Sequence, residues 1–213
     1  MSPDRAPAGS VAGVLLAAGP SSRMGRNKLL LRLDGESVLR RAAGRALAAG
    51  LDPVLVVLGH EAQTSAPELE GLPCRTIVNP DYALGMNSSA RAGISAVPPE
   101  AAAAVVLLAD MPLVTAEMLA ALVERYRGSD APLVISEYGG VQAPPTLYDR
   151  SLFPELGPPE GEGCGKRVVR RHRGEAEVFS WPAAALADLD RPEDYERIKA
   201  GIEAGRDACA ATS

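Results

Sequence analysis

The chain has 213 residues, 46% hydrophobic but only 4% aromatic, with a formal net charge of −5. That length supports one domain with a sizeable core, and the core must be aliphatic, built from Ala, Val and Leu. The acidic balance argues against a nucleic-acid binder, which presents a basic face, but it leaves room for a nucleotide as a small ligand.

Residues 1–10 are polar and Pro-rich and read as a tail, without a signal-peptide core. Val11 to Ala18 reads as a first, buried strand. The loop Gly19-Pro20-Ser21-Ser22-Arg23-Met24-Gly25-Arg26-Asn27-Lys28 follows, small at its start and cationic at Arg23 and Lys28. Such a loop can turn backbone N–H groups toward phosphates, with the two cations adding point charges. Asp34-Gly35 signals a turn, and Ser37 caps a helix predicted over Val38 to Ala49, whose Arg40, Arg41 and Arg45 read as a solvated face. Val54 to Leu58 is a second strand, Glu61 to Glu70 a short helix and Cys74 to Val78 a third strand. This strand–helix–strand rhythm predicts right-handed βαβ units and a parallel sheet. His60, at a strand end, reads as a loop residue.

Asn79-Pro80 closes the third strand, and the loop through Gly85 leads to Ser88 or Ser89, read as the cap of a helix over Ala90 to Ala96. Ala101 to Leu108, the most apolar segment, reads as a central parallel strand buried on both faces. It ends at Ala109-Asp110-Met111-Pro112, so Asp110 falls at the carboxyl end of a central strand, where open α/β sheets bind ligands. Thr115 suits the cap of the next helix, which leaves Asp110 available as a metal ligand. Pro132 to Ser136 reads as a strand, Gly139 to Pro145 as a loop, Leu147-Tyr148 as a short strand and Ser151 to Leu156 as a short helix. Gly157 to Gly165 reads as flexible, Lys166 to Arg173 as a basic surface helix and Ala176 to Ser180 as a late strand. Asp188 and Asp190 then share one face of an extended segment before Pro192 opens the last helix. The domain is expected over 11–204, with 205–213 as a second tail. Cys74, Cys164 and Cys209 form neither a disulfide framework nor a zinc spacing, which fits a reducing cytoplasm. No apolar run approaches the ~20 residues that span a bilayer.

These parts suggest one chemistry. Hard oxygen ligands at a few positions, completed by phosphates and water, are how proteins hold Mg²⁺, and Lys and Arg stabilise a leaving pyrophosphate. No Ser–His or Cys–His pair at motif spacing offers a covalent nucleophile. The loop is neither G-x-x-x-x-G-K-[ST] nor G-x-G-x-x-G, which sets kinase and NAD-dependent readings at a disadvantage. Direct attack of a substrate phosphate on a nucleoside triphosphate fits best. The alternatives are another small phosphate acceptor, such as a sugar phosphate, and a non-catalytic protein that delivers a nucleotide or cofactor.

The pattern Leu16-Ala17-Ala18-Gly19-x-Ser21-x-Arg23-Met24-Gly25-x-x-Lys28 resembles the signature of the MobA-like nucleotidyltransferases related to molybdenum-cofactor guanylyl- and cytidylyltransferases. The resemblance continues at Asn79-Pro80, Gly85-Met86-x-x-Ser89, Asp110-Met111-Pro112-Leu113 and Asp188-Leu189-Asp190-x-Pro192-Glu193-Asp194, over about residues 11–204. It implies a Rossmann-like three-layer α/β/α nucleotidyltransferase fold with a mostly parallel central sheet. It implies nucleotide contacts at Leu16, Ala17, Ala18, Gly19, Asn79, Gly85, Ser88 and Ser89. Arg23 and Lys28 would hold the phosphates, with Arg23, Lys28 and Asp110 catalytic. Asp110 would bind Mg²⁺, with Asp190 or Asp188 completing the site. Ala17-Ala18 is similar to the cytidylyltransferase version, which implies CTP rather than GTP and molybdopterin as acceptor. Implied partners are those small molecules and a transient contact with a molybdoenzyme or its chaperone, with no nucleic acid and no membrane. The sequence departs from that version at Ala143-Pro144-Pro145 and at Gly163-Cys164-Gly165-Lys166-Arg167, both expected at the acceptor side.

Overall fold

A computed structural model describes residues 9–156 and 164–210, without the side chains of Cys164 and of 205–210. Its frame is a seven-stranded sheet in which β1 (Val11–Ala17) is flanked by β4 (Val54–Leu58) and β6 (Ala103–Leu108), both parallel to it. β5 (Cys74–Val78) extends the sheet beyond β4. On the other side β8 (Val141–Asp149) runs antiparallel between β6 and β7 (Leu133–Tyr138), and β9 (Glu177–Trp181) closes that edge parallel to β7. The strand order is β5-β4-β1-β6-β8-β7-β9. A two-residue ribbon, β2 (Arg32–Leu33) with β3 (Glu36–Ser37), stands apart.

Every residue of β1 and of β4 is buried, as aliphatic strands covered on both faces require. On one face lie α1 (Val38–Ala48), α4 (Ala116–Arg127) and the start of α6 (Pro192–Ala210). The other face carries α3 (Met86–Ser95), α5 (Cys164–His172) and the single turns of residues 150–156. The short α2 (Ala62–Ser65) with its 3-10 continuation follows β4. The expected three-layer arrangement is therefore present. Ser37 and Thr115 cap α1 and α4, accepting from the N–H groups of Arg40 and Met118. α6 runs past residue 204, into the stretch read as a tail.

Three expectations need correction. The segment Gly139 to Pro145, read as a loop, is a two-residue turn of Gly139 and Gly140, both at positive φ, followed by the start of β8. Pro144 and Pro145 sit where the β7–β8 register slips, so their missing N–H groups interrupt no ladder bond there. The helix expected from Ala90 begins at Met86, which puts Ser88 and Ser89 inside α3 rather than at its cap. The arginines of α1 are not a solvated face. Arg40 donates to the carbonyls of Glu68 and Glu70, and Arg45 to those of Pro112 and Val114.

α3 approaches the sheet closely because it carries Gly93. A Cβ there would stand 2.3 Å from Val14 Cγ1 and 3.0 Å from Val57 Cγ2. Gly93→Ala should lower stability by about 1–3 kcal/mol, through overpacking against β1 and β4. A urea midpoint that falls at unchanged slope is the expected reading, and an unchanged midpoint contradicts this packing.

Candidate functional site

β1 and β6 are neighbours whose connections leave in opposite directions, so their carboxyl ends form the switch point of the sheet. The loop after β1 and Asp110 after β6 therefore face one another. Ala109 N–H donates to the Leu16 carbonyl at 3.1 Å and fixes the two strand ends together.

The loop is held by its own short side chains. Ser21 Oγ accepts from Lys28 N–H at 2.9 Å, and its carbonyl accepts from Met24 N–H. Met24 is buried and anchors the loop. Asn27 Oδ1 caps the following turn by accepting from Leu29 N–H, while its Nδ2 donates to Glu61 Oε2 at 2.9 Å. These bonds orient Lys28, whose Nζ lies 2.5 Å from Asp110 Oδ2 and 3.4 Å from Asp190 Oδ1. Arg23 Nη1 meets the other oxygen of Asp190 at 2.6 Å. Asp110 receives a second tie, from Leu189 N–H to its backbone carbonyl at 3.0 Å, which sets the 188–190 segment beside β6.

Two clefts meet at this cluster. One, of about 260 Å³, is lined by Leu16 to Pro20, Lys28, Leu29, Tyr82, Gly85, Met86, Ser89, Leu108 and Asp110. The other, of about 230 Å³, is lined by Pro20 to Met24, Lys28 and Asp190. Lys28 and Pro20 belong to both. The first is mainly apolar and suits a flat ring, and the second is polar. The N–H groups of Gly19, Ser21, Ser22 and Arg23 donate to no group among the described residues, and so they remain available to an anion.

The residues expected at the site thus divide. Leu16, Ala17, Ala18, Gly19, Lys28, Gly85, Ser89 and Asp110 line the first cleft, and Arg23, Lys28 and Asp190 the second. Asn79 and Ser88 lie behind the first cleft: Asn79 Nδ2 donates to Ser88 Oγ and Ser89 Oγ. Asp188 lines neither. Desolvation by its surroundings, and then the charges of Asp110 and Asp190, push its carboxyl above the ordinary value. Ala143–Pro145 lies beside β7, with Tyr138 Oη donating to the Pro144 carbonyl at 3.0 Å. Gly163 lies outside the described residues, and Gly165, Lys166 and Arg167 line neither cleft.

Among the described residues no three His, Cys, Asp or Glu side chains are arranged to hold an ion by themselves. Asp110 and Asp190, joined through Lys28, make a two-carboxylate set of hard oxygens. Together with a neighbouring carboxyl that its surroundings resist charging, this set fits a small divalent cation that takes its remaining ligands from phosphates and water.

The sequence reading missed Asn27, Tyr82, Met86 and Arg45. An Asn before the apolar run Leu29-Leu30-Leu31 is a recognisable cap, so Asn27 was within reach. Arg45 was not, because nothing in the chain marks which arginine of α1 turns inward. Its burial lowers the guanidinium to about 10, still charged at neutral pH. It grips the two carbonyls just beyond Asp110. Replacing Arg45 with Met strands both carbonyls, and should cost about 2 kcal/mol of stability in urea unfolding, with Arg45→Lys recovering part of it. Equal midpoints for all three proteins contradict that role.

Residues 13–177 match the MobA-like NTP transferase domain. Nicotine blue oxidoreductase of Paenarthrobacter nicotinovorans is 31% identical over 76% of this chain and 82% of its own. A probable molybdenum cofactor guanylyltransferase of Opitutus terrae is 35% identical over 89% and 95%. The crystal structure of a homologue of Mycobacterium tuberculosis Rv0371c, from Mycobacterium sp. strain JC1, superposes with a TM-score of 0.79 at 30% identity, covering 90% of this chain and 96% of that one.

Proposed function

Because the chain belongs to the MobA-like NTP transferase family, we propose that it transfers CMP from CTP to the phosphate of molybdopterin and releases pyrophosphate. Nucleotidyl transfer is the family's chemistry. The base and the acceptor are our reading. The observation that carries it is Lys28, held between Asp110 and Asp190 where the apolar cleft meets the polar one. The choice of CTP rests on Ala17-Ala18 in that cleft, and the choice of acceptor on the relation to a molybdenum-cofactor enzyme.

On this reading the base enters the apolar cleft against Leu16 to Gly19. Arg23, Lys28 and the unoccupied N–H groups of the loop take the triphosphate, which frees the carboxylates of Asp110 and Asp190. Those carboxylates would hold Mg²⁺, with Asp188 beside them, and the ion would supply positive charge to offset that of the phosphates. The acceptor phosphate is already anionic, so no side chain has to remove a proton. Its oxygen forms the new bond to the α-phosphorus, the bond to the bridging oxygen breaks, and Arg23 and Lys28 stabilise the departing pyrophosphate. The product is a dinucleotide for a molybdoenzyme, made in a reducing cytoplasm.

The name of the Paenarthrobacter relative raises hydride transfer as a second reading. The loop here has Gly19 and Gly25 six residues apart, not the G-x-G-x-x-G spacing of a dinucleotide turn, and Lys28 with Asp110 serves phosphate chemistry better. Pyrophosphate release, assayed with each nucleoside triphosphate and with or without molybdopterin, separates these readings. Release is expected with CTP and molybdopterin together, and lost on chelating the divalent ion. Asp110→Ala should lower kcat at least about 100-fold, and Arg23→Ala should lower kcat as well as raise KM, because Arg23 holds both the triphosphate and the departing pyrophosphate. No release with any nucleotide, or release equally fast in Asp110→Ala, rules the proposal out.

A further inference from the structure

We infer that Ser89 is a dedicated hydrogen-bond donor to a carbonyl of the nucleobase, and that Asn79 imposes this polarity from behind. The inference rests on the nucleotide reading above. It starts from the Asn79 amide, whose orientation has one solution. Asp81 N–H can only donate, and it meets Asn79 Oδ1 at 3.0 Å. Nδ2 therefore faces the serines, and its two hydrogens go to Ser88 Oγ at 2.9 Å and Ser89 Oγ at 3.0 Å. Both serines are acceptors toward Asn79 and must spend their own protons elsewhere.

Ser88 spends its proton inside the fold, with the carbonyls of Asp81 and Gly85 each 2.8 Å from its Oγ. Ser89 has no such carbonyl. Its proton meets no acceptor among the described residues, although the residue is only 4% exposed. The side chain lines the apolar cleft together with Ala17 and Ala18. A buried hydroxyl with its oxygen engaged and its proton uncommitted is a donor directed at whatever fills the cleft. The partner it selects is an acceptor atom, which for cytosine is the O2 carbonyl. Asn79 touches no ligand in this scheme and is a positioning residue.

The scheme makes Asn79→Asp informative. A carboxylate still accepts from Asp81 N–H but cannot donate, so Ser89 turns its proton back to residue 79 and presents a lone pair to the cleft. Dissociation constants for CTP and for inorganic tripolyphosphate, each with Mg²⁺, are measured by calorimetry on the wild type, Ser89→Ala, Asn79→Asp and the double variant. GTP is measured on the wild type alongside. CTP binding should weaken about tenfold in Ser89→Ala and at least as much in Asn79→Asp. The double variant should bind like Ser89→Ala alone, because removing the hydroxyl removes the inverted polarity. Tripolyphosphate, which has no base, should bind all four proteins equally, and this also confirms that the variants are folded. Additive losses in the double variant, CTP binding indifferent to Asn79→Asp, or a parallel loss of tripolyphosphate overturns the inference while leaving the nucleotide reading intact. A wild type that binds neither CTP nor GTP overturns both.

Discussion

Lys28 sits between Asp110 and Asp190, and three distant pieces of chain depend on that contact. Its ammonium is mostly buried and 2.5 Å from one carboxylate. Asp110, Asp188 and Asp190 would repel one another at this separation from bulk water without a cation among them. Burial raises the Asp188 carboxyl, the charges of Asp110 and Asp190 raise it further, and Lys28 acts in the opposite direction. The lysine can serve because its backbone is fixed twice, by Ser21 Oγ and by the Asn27-capped turn. The partner carboxylates are fixed in turn by backbone bonds, Ala109 to Leu16 and Leu189 to Asp110.

The sheet supplies the frame that makes such pinning accurate. β1 and β6 are buried central strands, so the ends from which the loop and Asp110 emerge have little freedom. Close packing behind them does the rest. Gly59 shows how close: a Cβ on it would stand 2.6 Å from Tyr82 Cβ and 2.8 Å from Ala18 Cβ. The cleft wall formed by Tyr82 and the wall formed by Ala18 are therefore in contact through a residue without a side chain. From the other face, Arg45 of α1 holds the turn after Asp110 by its carbonyls. The site is thus braced from both layers of helices, although its own residues are mostly in loops.

Much of this was legible in the residues because the determinants are local. Val54 to Leu58 and Ala103 to Leu108 are aliphatic runs of strand length, and Ser37 and Thr115 are caps whose hydroxyls accept as expected. Asp110 could be placed because a strand end and a following Pro112 are visible in the sequence. What stayed hidden depends on partners far away in the chain. β8 begins Val141-Gln142-Ala143-Pro144-Pro145, a poor strand by composition, and it exists because β6 and β7 pair with its later residues on both sides. Ser88 and Ser89 look like caps by residue type. They are drawn into α3 and bonded instead by Asn79, at the end of a strand ten residues earlier. The α1 arginines follow the same logic, since the carbonyls they satisfy belong to loops that sequence spacing cannot bring near.

The paired charges also explain why the site keeps a costly arrangement. Ion pairs at this burial return little net stability, because desolvation of the partners offsets their attraction, and apolar side chains of similar size would pack at least as well. A pair has one property that apolar packing lacks: each member can exchange its partner without being left alone. On the proposed function, a polyphosphate entering together with a divalent cation would take Arg23 and Lys28 as the cation took Asp110 and Asp190, and neither charge set would be left unpaired. Either ligand alone must break the pairs and leave one set uncompensated. On that reading the geometry at Lys28 would favour joint occupation over single occupation, through charge balance and without any movement of the sheet.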